Sequence, residues 1–516
     1  MRNLILVLGD QLNHDSAALA DLDPSRDAVW MAEVAEEATH VWCHKLRIAF
    51  FFSAMRHFRD ELRERGIPVH YQELTHSAVE DRGRDFATVL SHDVAALGPE
   101  KLILVTPGDY RVRKALQQQA DELNIPVEIR PDRHFFSGID DFREFSAGRK
   151  KLVMETFYRQ MRRKHGVLLE RDGKPVGGKW NFDQDNRLPF SPNKPPAIPP
   201  MPVFHPDSTT RKILKLVEHR FSDHPGQLDR MDLPVTHLQA RAMLDDFVCS
   251  RLPHFGSYED AMWADQPFLY HSRLSALLNV KLLNPRDCVS TAVTAYEEGQ
   301  APLNSVEGFI RQILGWREYI RGVYWVNMPE YQDLNYFGHE LKAPAFFWDG
   351  ASDLECIRQT MQHVLRYGYS HHIHRLMVMG LFALLLGVHP RRFHEWHMAM
   401  YVDAVDWVSL PNTLGMSQYG DGGIVGSKPY CASGNYINRM SNFCKNCRYD
   451  YGASIGEKAC PFTTLYWDFL DRHYDRLKTN PRLGPQLLNL ERKRQSKREL
   501  DAIGKRAAEL RRKWGG

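Results

Sequence analysis

Apolar residues in the first 130 positions come in short unbroken runs: Asn3–Leu8, Ala28–Met31, Val69–Glu73, Leu102–Val105 and Val127–Ile129. These runs are rich in Val, Ile and Leu and read as strands. Between several of them the apolar spacing changes to a helical period, notably over His44–Arg65 and Arg111–Leu123. The alternation predicts an α/β domain with a parallel, Rossmann-like sheet and helices on both faces. From about Leu233 to Tyr474 strand signals nearly vanish. Helical periodicity takes over at Leu238–Cys249, Ser272–Leu283, Ser305–Trp325, Leu354–Arg366 and His372–Leu386, predicting a large all-α domain. The intervening stretch holds the loop Gly177-Gly-Lys-Trp-Asn-Phe-Asp183 and a proline-rich segment, Ser191–Pro206, which is incompatible with regular helix. The predicted division is 1–130, α/β domain; 131–232, interdomain connection; 233–475, helical domain; 476–516, a basic helical tail.

Composition narrows the class. The chain has 516 residues, 43% hydrophobic and 25% charged, ordinary for a globular protein and long enough for more than one domain. A net charge of +3 points to no particular partner, although ten Lys/Arg stand against four Asp/Glu from Glu491 onward. No apolar run reaches the roughly 18–20 residues that span a bilayer. The opening MRNLILVLGDQL reads as a first strand and not as a signal peptide. The expectation is a cytoplasmic protein, where structural disulfides are disfavoured, so the eight cysteines need another use.

The chemistry concentrates between Trp396 and Pro461. Asp403 and Asp406 sit there among aromatics, a Gly/Ser/Asn-rich stretch follows, and Cys444-x-x-Cys447 and Cys460-Pro461 close it. Thiolates spaced in this way share a metal centre, either zinc or an iron–sulfur cluster, and the Cys-Pro ending leans towards iron–sulfur. A fourth ligand must come from Cys356 or Cys431. Upstream, Tyr270-His271-Ser272-Arg273-Leu274-Ser275 has the hydroxyls and helix start that suit a pyrophosphate, or an ordinary helix cap. The helix Phe309–Arg321 carries Gln312, Trp316 and Tyr319 at helical spacing, as a core-packing helix with charged edges does. Adjacent His371 and His372 enter an apolar helix, in acid–base, metal-binding or structural roles. The first strand ends in Gly-Asp-Gln-Leu rather than G-x-G-x-x-G, so the dinucleotide rule places no cofactor there. A ligand near Asp10, Gln11 and Glu33, at the strand ends, remains open. Arg162, Arg163 and Lys164 form a basic run suited to phosphates.

Taken together these residues resemble the photolyase/cryptochrome superfamily, specifically its bacterial iron–sulfur branch of prokaryotic (6-4) photolyases and related cryptochromes. The resemblance runs through LVLGDQL, FFSAMRHF (51–58), GGKWNFD (177–183), PLNSVEGFIRQILGWREYIRG (302–322), the His pair, LPNTLGMSQYGDGG (410–423) and KPYCASGNYINRMSNFC (428–444). It implies a helical domain that holds FAD. The diphosphate is expected near His271, Ser272, Leu274 and Ser275, with Gln312, Trp316 and Arg317 around it, and Asp403 and Asp406 facing the isoalloxazine and ribose. It implies a [4Fe-4S] cluster on Cys356, Cys444, Cys447 and Cys460, leaving Cys431 free. It also implies a 6,7-dimethyl-8-ribityllumazine antenna in the first domain, with Asp10, Gln11, Glu33 and Glu37 as contacts.

The implied activity is blue-light repair of (6-4) photoproducts in UV-damaged DNA by a monomer. Reduced FAD gives an electron to an extruded lesion, and His372, with His371 as partner and Tyr430 at the rim, supplies the proton. Trp348 and Trp396 are expected in an electron relay, or else as core aromatics. The alternatives are a blue-light sensor, a cyclobutane-dimer photolyase, and a structural iron–sulfur protein that binds nucleic acid.

Overall fold

The computed structural model describes residues 1–191 and 197–515. Residues 192–196 of the proline-rich stretch lie outside the described residues, and 197–206 form neither helix nor strand. The apolar runs of the first domain become β1 (Asn3–Leu6), β2 (Asp27–Ala32), β3 (Val69–Gln72), β4 (Lys101–Val105) and β5 (Val127–Arg130). They form one sheet, ordered β3-β2-β1-β4-β5. Every pairing is parallel, with Ile5 opposite both Val29 and Ile103.

Side chains leave a strand alternately on its two faces, so these runs feed two cores. Leu4, Leu6, Trp30, Leu102 and Leu104 pack with helices Phe86–Leu97 and Tyr110–Glu122. Ile5, Val29, Met31, Ile103 and Val105 pack under helix Lys45–Glu64 and join the core of the helical domain. Trp30 is fully buried, and its indole N–H donates to Asp93 at 2.8 Å. The strand order grows from β1 outward to β2 and β3 on one side and to β4 and β5 on the other, so its direction reverses between β1 and β4. A crevice therefore opens at the carboxyl ends of β1 and β4, where ligands of such sheets bind.

His44 caps helix Lys45–Glu64. Its Nδ1 accepts from the Leu46 amide at 3.0 Å, while its Nε2 donates to the Leu365 carbonyl at 3.0 Å, tying the two domains. The segment predicted as an interdomain connection is itself folded. Its helices Ile139–Ser146, Met154–His165 and Ser208–Arg220 dock on the body of the protein, each through apolar residues of the main core. Gly322 lets the first of them approach, since a Cβ there would lie 2.1 Å from Phe142. Gly322→Ala is expected to destabilise the fold by about 1–3 kcal/mol through overpacking, read as a lower denaturant midpoint.

Three helical runs of the second domain carry a wide, π-helical segment: Arg311–Arg317, Arg375–Gly380 and Pro411–Ser417. Such segments cost backbone geometry and collect at functional sites. Two of them meet at Gly380, where a Cβ would come within 2.1 Å of the Ser417 hydroxyl oxygen. Gln418 seals the contact by donating to the Gly380 carbonyl at 3.0 Å.

Two sequence expectations change. The helix predicted over Ser272–Leu283 shrinks to Ser275–Asn279, because Arg273 and Lys281 adopt left-handed φ values of 58° and 68°. Arg162, expected to meet phosphates, is buried. Its guanidinium donates to the carbonyls of Val167 (3.1 Å), Trp180 (2.8 Å) and Leu168 (2.6 Å), so it closes a loop instead. Arg163 is exposed and stacks over Trp180, and Lys164 pairs with Asp141 at 2.9 Å.

Candidate functional site

Asp403 is the node of the main site. It follows the helix Pro390–Met400, and its carboxylate receives Arg375 at 2.9 and 3.1 Å and the Ser275 hydroxyl at 2.6 Å. Its carbonyl accepts from Asn279 at 2.8 Å. Arg375 comes from a π-helical segment, donates to the Ser370 carbonyl at 2.7 Å, and lies 3.9 Å above the Tyr401 ring. Three distant segments, 275–279, 370–375 and 401–403, thus converge on one ion pair. Such a pair is costly to desolvate and expensive to break.

Histidines line the same region. The His271 and His371 rings stack at 4.3 Å, and His371 meets His374 at 3.9 Å. Both ring nitrogens of His371 and Nε2 of His271 are buried without a protein partner. His372 is exposed and stands beside Arg375. Loss of solvation within the protein mass, then Arg375, push it down to about 4. It is therefore neutral near pH 7 and presents an N–H. The remaining residues expected here vary. Ser272 accepts from the Leu274 amide at 3.3 Å, as a turn residue does. Gln312 donates back to the Gly308 carbonyl at 3.2 Å. Trp316 is half-buried against Tyr319. Arg317 lies over Phe135 and Trp407, with its Nε buried and unpartnered and its Nη1 3.5 Å from Glu318. Arg273 gives its Nη2 to Asp232 at 2.7 Å, while its Nε and Nη1 are buried without a hydrogen-bond partner. Tyr430 is half-buried; burial and then Asp183 raise its phenol.

Asp406 departs from expectation. Its carboxylate accepts from Tyr324 and lies 2.9 Å from His394 Nε2, and it faces the cavity of the α/β domain, away from Asp403. The intervening turn at Ala404 and Val405 separates the two acids.

An aromatic path leaves the node. Tyr401, under Arg375, meets Trp396 at 5.7 Å, and Trp396 meets Phe347 at 5.0 Å. Trp348, next in the chain, meets Trp42 at 5.5 Å, and Trp42 is 45% exposed. The expected residues Trp348 and Trp396 thus belong to one series that reaches the surface. Tyr401 and Trp42 were not legible in the sequence, because they are remote from their neighbours in chain order or lack a motif.

Cys356, Cys444, Cys447 and Cys460 line one small cavity, walled by Phe443 and Phe462. Burial, then the neighbouring thiols, raise Cys356 well above the usual thiol range and Cys444 to about 12. Four thiols forced together in this way need a cation to ionise. Cys431 is buried outside this cavity, and Cys356 is the fourth thiol that lines it. Gly434 leaves the space open, since a Cβ would lie 3.1 Å from the Cys460 sulfur. Tetrahedral zinc at its usual bond length would hold sulfurs about 3.8 Å apart. Among the described residues, the group whose ligand atoms all fall within 4.8 Å is His14, Glu61 and His237, and not these cysteines. Their wider spacing suits a polynuclear cluster.

The crevice of the sheet is a cavity walled by Phe51, Phe52, Met55 and Val112. Asp10 and Asp109 meet there across Gly108, whose amide donates to Asp10 at 2.9 Å. Burial lifts Asp10 to about 6, while burial and then Asp406 lift Asp109. Glu37 lines the cavity and pairs with Arg111 at 2.7 Å. Glu33 also lines it, but Arg56, Tyr71 and the Leu74 amide occupy both its oxygens. Gln11 is turned away, donating to the carbonyls of Val105 and Thr106 at 3.3 and 3.4 Å, and so corrects the expectation of a ligand contact. Asp109, Phe51 and Arg47 complete the wall. The Asp109 position follows β4 as Asp10 follows β1, a symmetry of strand ends that only the sheet order makes visible.

Buried neutral imidazoles set a pH dependence. Burial depresses His44 and His363 to about 4 and His271 to about 3. An unfolded chain protonates its imidazoles near 6.5, so below that pH it binds more protons than the native state. Stability contributed by these groups is full above pH 6.5 and is lost as pH falls towards 4, by about 1.4 kcal/mol per unit for each. Urea midpoints should fall steadily from pH 7 to pH 5, and a flat profile would contradict this.

The comparisons agree with this architecture. A family model described as deoxyribodipyrimidine photo-lyase-related protein matches residues 5–233. A bacterial class III photolyase from Agrobacterium tumefaciens superposes with a TM-score of 0.59, covering 93% of this chain and 98% of that one at 13% identity. A cryptochrome from Synechocystis sp. PCC6803 gives 0.51, covering 85% and 88% at 14% identity. At those identities the likeness is one of fold, and the fold is that of photolyases and cryptochromes. In sequence, the chain is 46% identical over 487 residues to a (6-4) photolyase of Agrobacterium fabrum, which spans 94% of each protein. The chain therefore belongs to the bacterial (6-4) photolyase family. That membership implies FAD. Among the described residues no helix is long and apolar enough to cross a membrane.

Proposed function

We propose that this protein repairs (6-4) pyrimidine photoproducts in DNA under blue light, as a cytoplasmic monomer. The observation that carries the reading is His372, exposed beside the buried Arg375–Asp403 pair, in a chain with a 46%-identical (6-4) photolyase relative. FAD in its reduced form supplies the electron that repair needs on illumination.

The residues of the chain do the rest. Ser275 and Asn279 orient Asp403, and Asp403 holds Arg375. The unpartnered nitrogens of His271, His371 and Arg317 are buried groups that suit a ligand rich in phosphate and hydroxyl oxygens. His372 Nε2–H or Nδ1–H gives its proton to the hydroxyl that must move between the two bases. A DNA phosphate next to His372 raises its proton affinity towards the working pH, since opposite charge favours the imidazolium. His371, buried beside it in the chain, stacks on His271 at 4.3 Å and so holds the floor of the site. The lesion must leave the duplex to reach this depth. Arg163 and the basic tail attract the backbone, so binding weakens with salt.

The four-cysteine cavity fits a [4Fe-4S] cluster. Cys447→Ala should reduce iron per chain and the cluster's visible absorbance, because metal binding is folding energy in such sites. The α/β cavity fits 6,7-dimethyl-8-ribityllumazine, with Asp10, Asp109 and Glu37 set to meet its polyol and ring edge. The aromatic path from Tyr401 to Trp42 would carry electrons inward, so Trp396→Phe should slow flavin photoreduction without changing flavin content.

The deciding experiment uses one duplex with a single (6-4) photoproduct and another with a cyclobutane dimer, with reduced enzyme in blue light and in darkness. Light-dependent loss of the (6-4) lesion alone is the expected result. Failure on both, with FAD bound and reducible, would overturn the repair reading and favour a light sensor.

A further inference from the structure

His14, Glu61 and His237 come together although the chain separates them widely. Glu61 is in the last turn of helix Lys45–Glu64, His14 follows β1, and His237 opens helix His237–Ser250 of the helical domain. His14 Nε2 lies 2.8 Å and His237 Nδ1 3.0 Å from the same Glu61 oxygen. The three ligand atoms all fall within 4.8 Å of one another. None of the three residues lines the flavin region, the four-cysteine cavity or the α/β cavity.

Two imidazoles and a carboxylate are the donor set of open zinc sites, where water takes the fourth position. The exposure here matches that form: the side chains keep 32%, 29% and 29% of their surface. Phe58 is buried behind both rings, with centroids 5.0 Å from His14 and 5.9 Å from His237, and fixes their planes. Burial alone would raise the Glu61 carboxyl, but hydrogen bonds from the two histidines outweigh it and hold it at about 2. The carboxylate is therefore charged at any working pH. The two protons that His14 and His237 place on one oxygen are where a divalent cation would sit.

We propose that His14, Glu61 and His237 bind a divalent transition-metal ion of the zinc class, which cross-links the α/β domain to the helical domain. One neighbour opposes it. Arg65 Nη1 lies 2.7 Å from His14 Nδ1 and needs that nitrogen's lone pair. A ring bound to metal through Nε2 carries its proton on Nδ1, so the metal must displace Arg65. Arg65 is exposed at the helix end and has room to swing away. The arrangement makes Arg65 a gate on affinity, a property that a simple His–Glu–His contact lacks.

The test uses tag-free protein with its flavin and iron retained, dialysed against a chelator too weak to strip the iron. Zinc is titrated by calorimetry, and cobalt by absorbance. The expected result is one zinc per chain, a higher unfolding temperature with zinc, and cobalt d–d bands without a thiolate charge-transfer band. Glu61→Gln, which keeps the side-chain shape, and His237→Ala should each weaken binding roughly tenfold or more. Arg65→Ala should tighten it. Absence of saturable binding, or binding unchanged in both Glu61→Gln and His237→Ala at unaltered iron and flavin content, would overturn the proposal.

Discussion

His372→Ala should lose (6-4) repair by about 10²–10⁴-fold while keeping its flavin, its iron and its photoreduction rate, the span that a positioned proton donor contributes. The reason for the separation lies in the geometry. His372 is exposed, so its removal leaves no cavity in the core, and Arg375 keeps its pairing with Asp403. The pH profile offers a second readout. His372 sits at about 4 in the free protein, lowered by its low-dielectric surroundings and by Arg375. Repair should therefore decline as pH rises, with a midpoint above that value when DNA phosphate is bound. His372→Ala should flatten the profile as well as lower it. Full repair activity in His372→Ala would remove this residue from the chemistry, whatever became of the protein's function.

Asp403→Ala should have the second large effect, on stability and flavin retention together. Arg375 would be left as an unpaired buried cation, and breaking such a pair costs about 3–5 kcal/mol. Ser275 would lose its partner as well, while Asn279 would keep the backbone carbonyl of residue 403. The expected outcome is a lower unfolding temperature and a protein purified with little FAD. The double variant Asp403→Leu, Arg375→Met distinguishes the two losses. Replacing both charges by apolar groups of similar size is often neutral for stability. It should therefore recover the unfolding temperature without recovering flavin. Equal recovery of both would show that the pair matters only for folding.

The comparison of sequence with structure follows physical lines. The α/β domain was legible because short apolar runs alternating with helical patterns have few other solutions; β1 to β5 lie within one or two residues of the predicted runs at almost every end. The helical runs were legible for the same reason, and so was the cysteine spacing, because ligands of one cluster must lie close along at least part of the chain. Ser272–Leu283 failed because periodicity does not report left-handed residues such as Arg273 and Lys281. Arg162 failed because charge in a sequence does not reveal whether carbonyls wait for it inside.

By itself the sequence determined the order of the α/β and helical domains, and it grouped Cys444, Cys447 and Cys460 and the adjacent His371 and His372, since these depend on local spacing and residue chemistry. The tertiary structure alone decided which charges meet. Asp403 and Asp406 are three residues apart, yet one closes on Arg375 and the other on Tyr324 and His394 in a different cavity. It placed Cys356 and not Cys431 at the cavity of the other three cysteines, joined Tyr401 to Trp42 and brought His14 to His237. Each of these pairings joins residues through the packing of separate helices, and packing is a property of surfaces that no single segment carries.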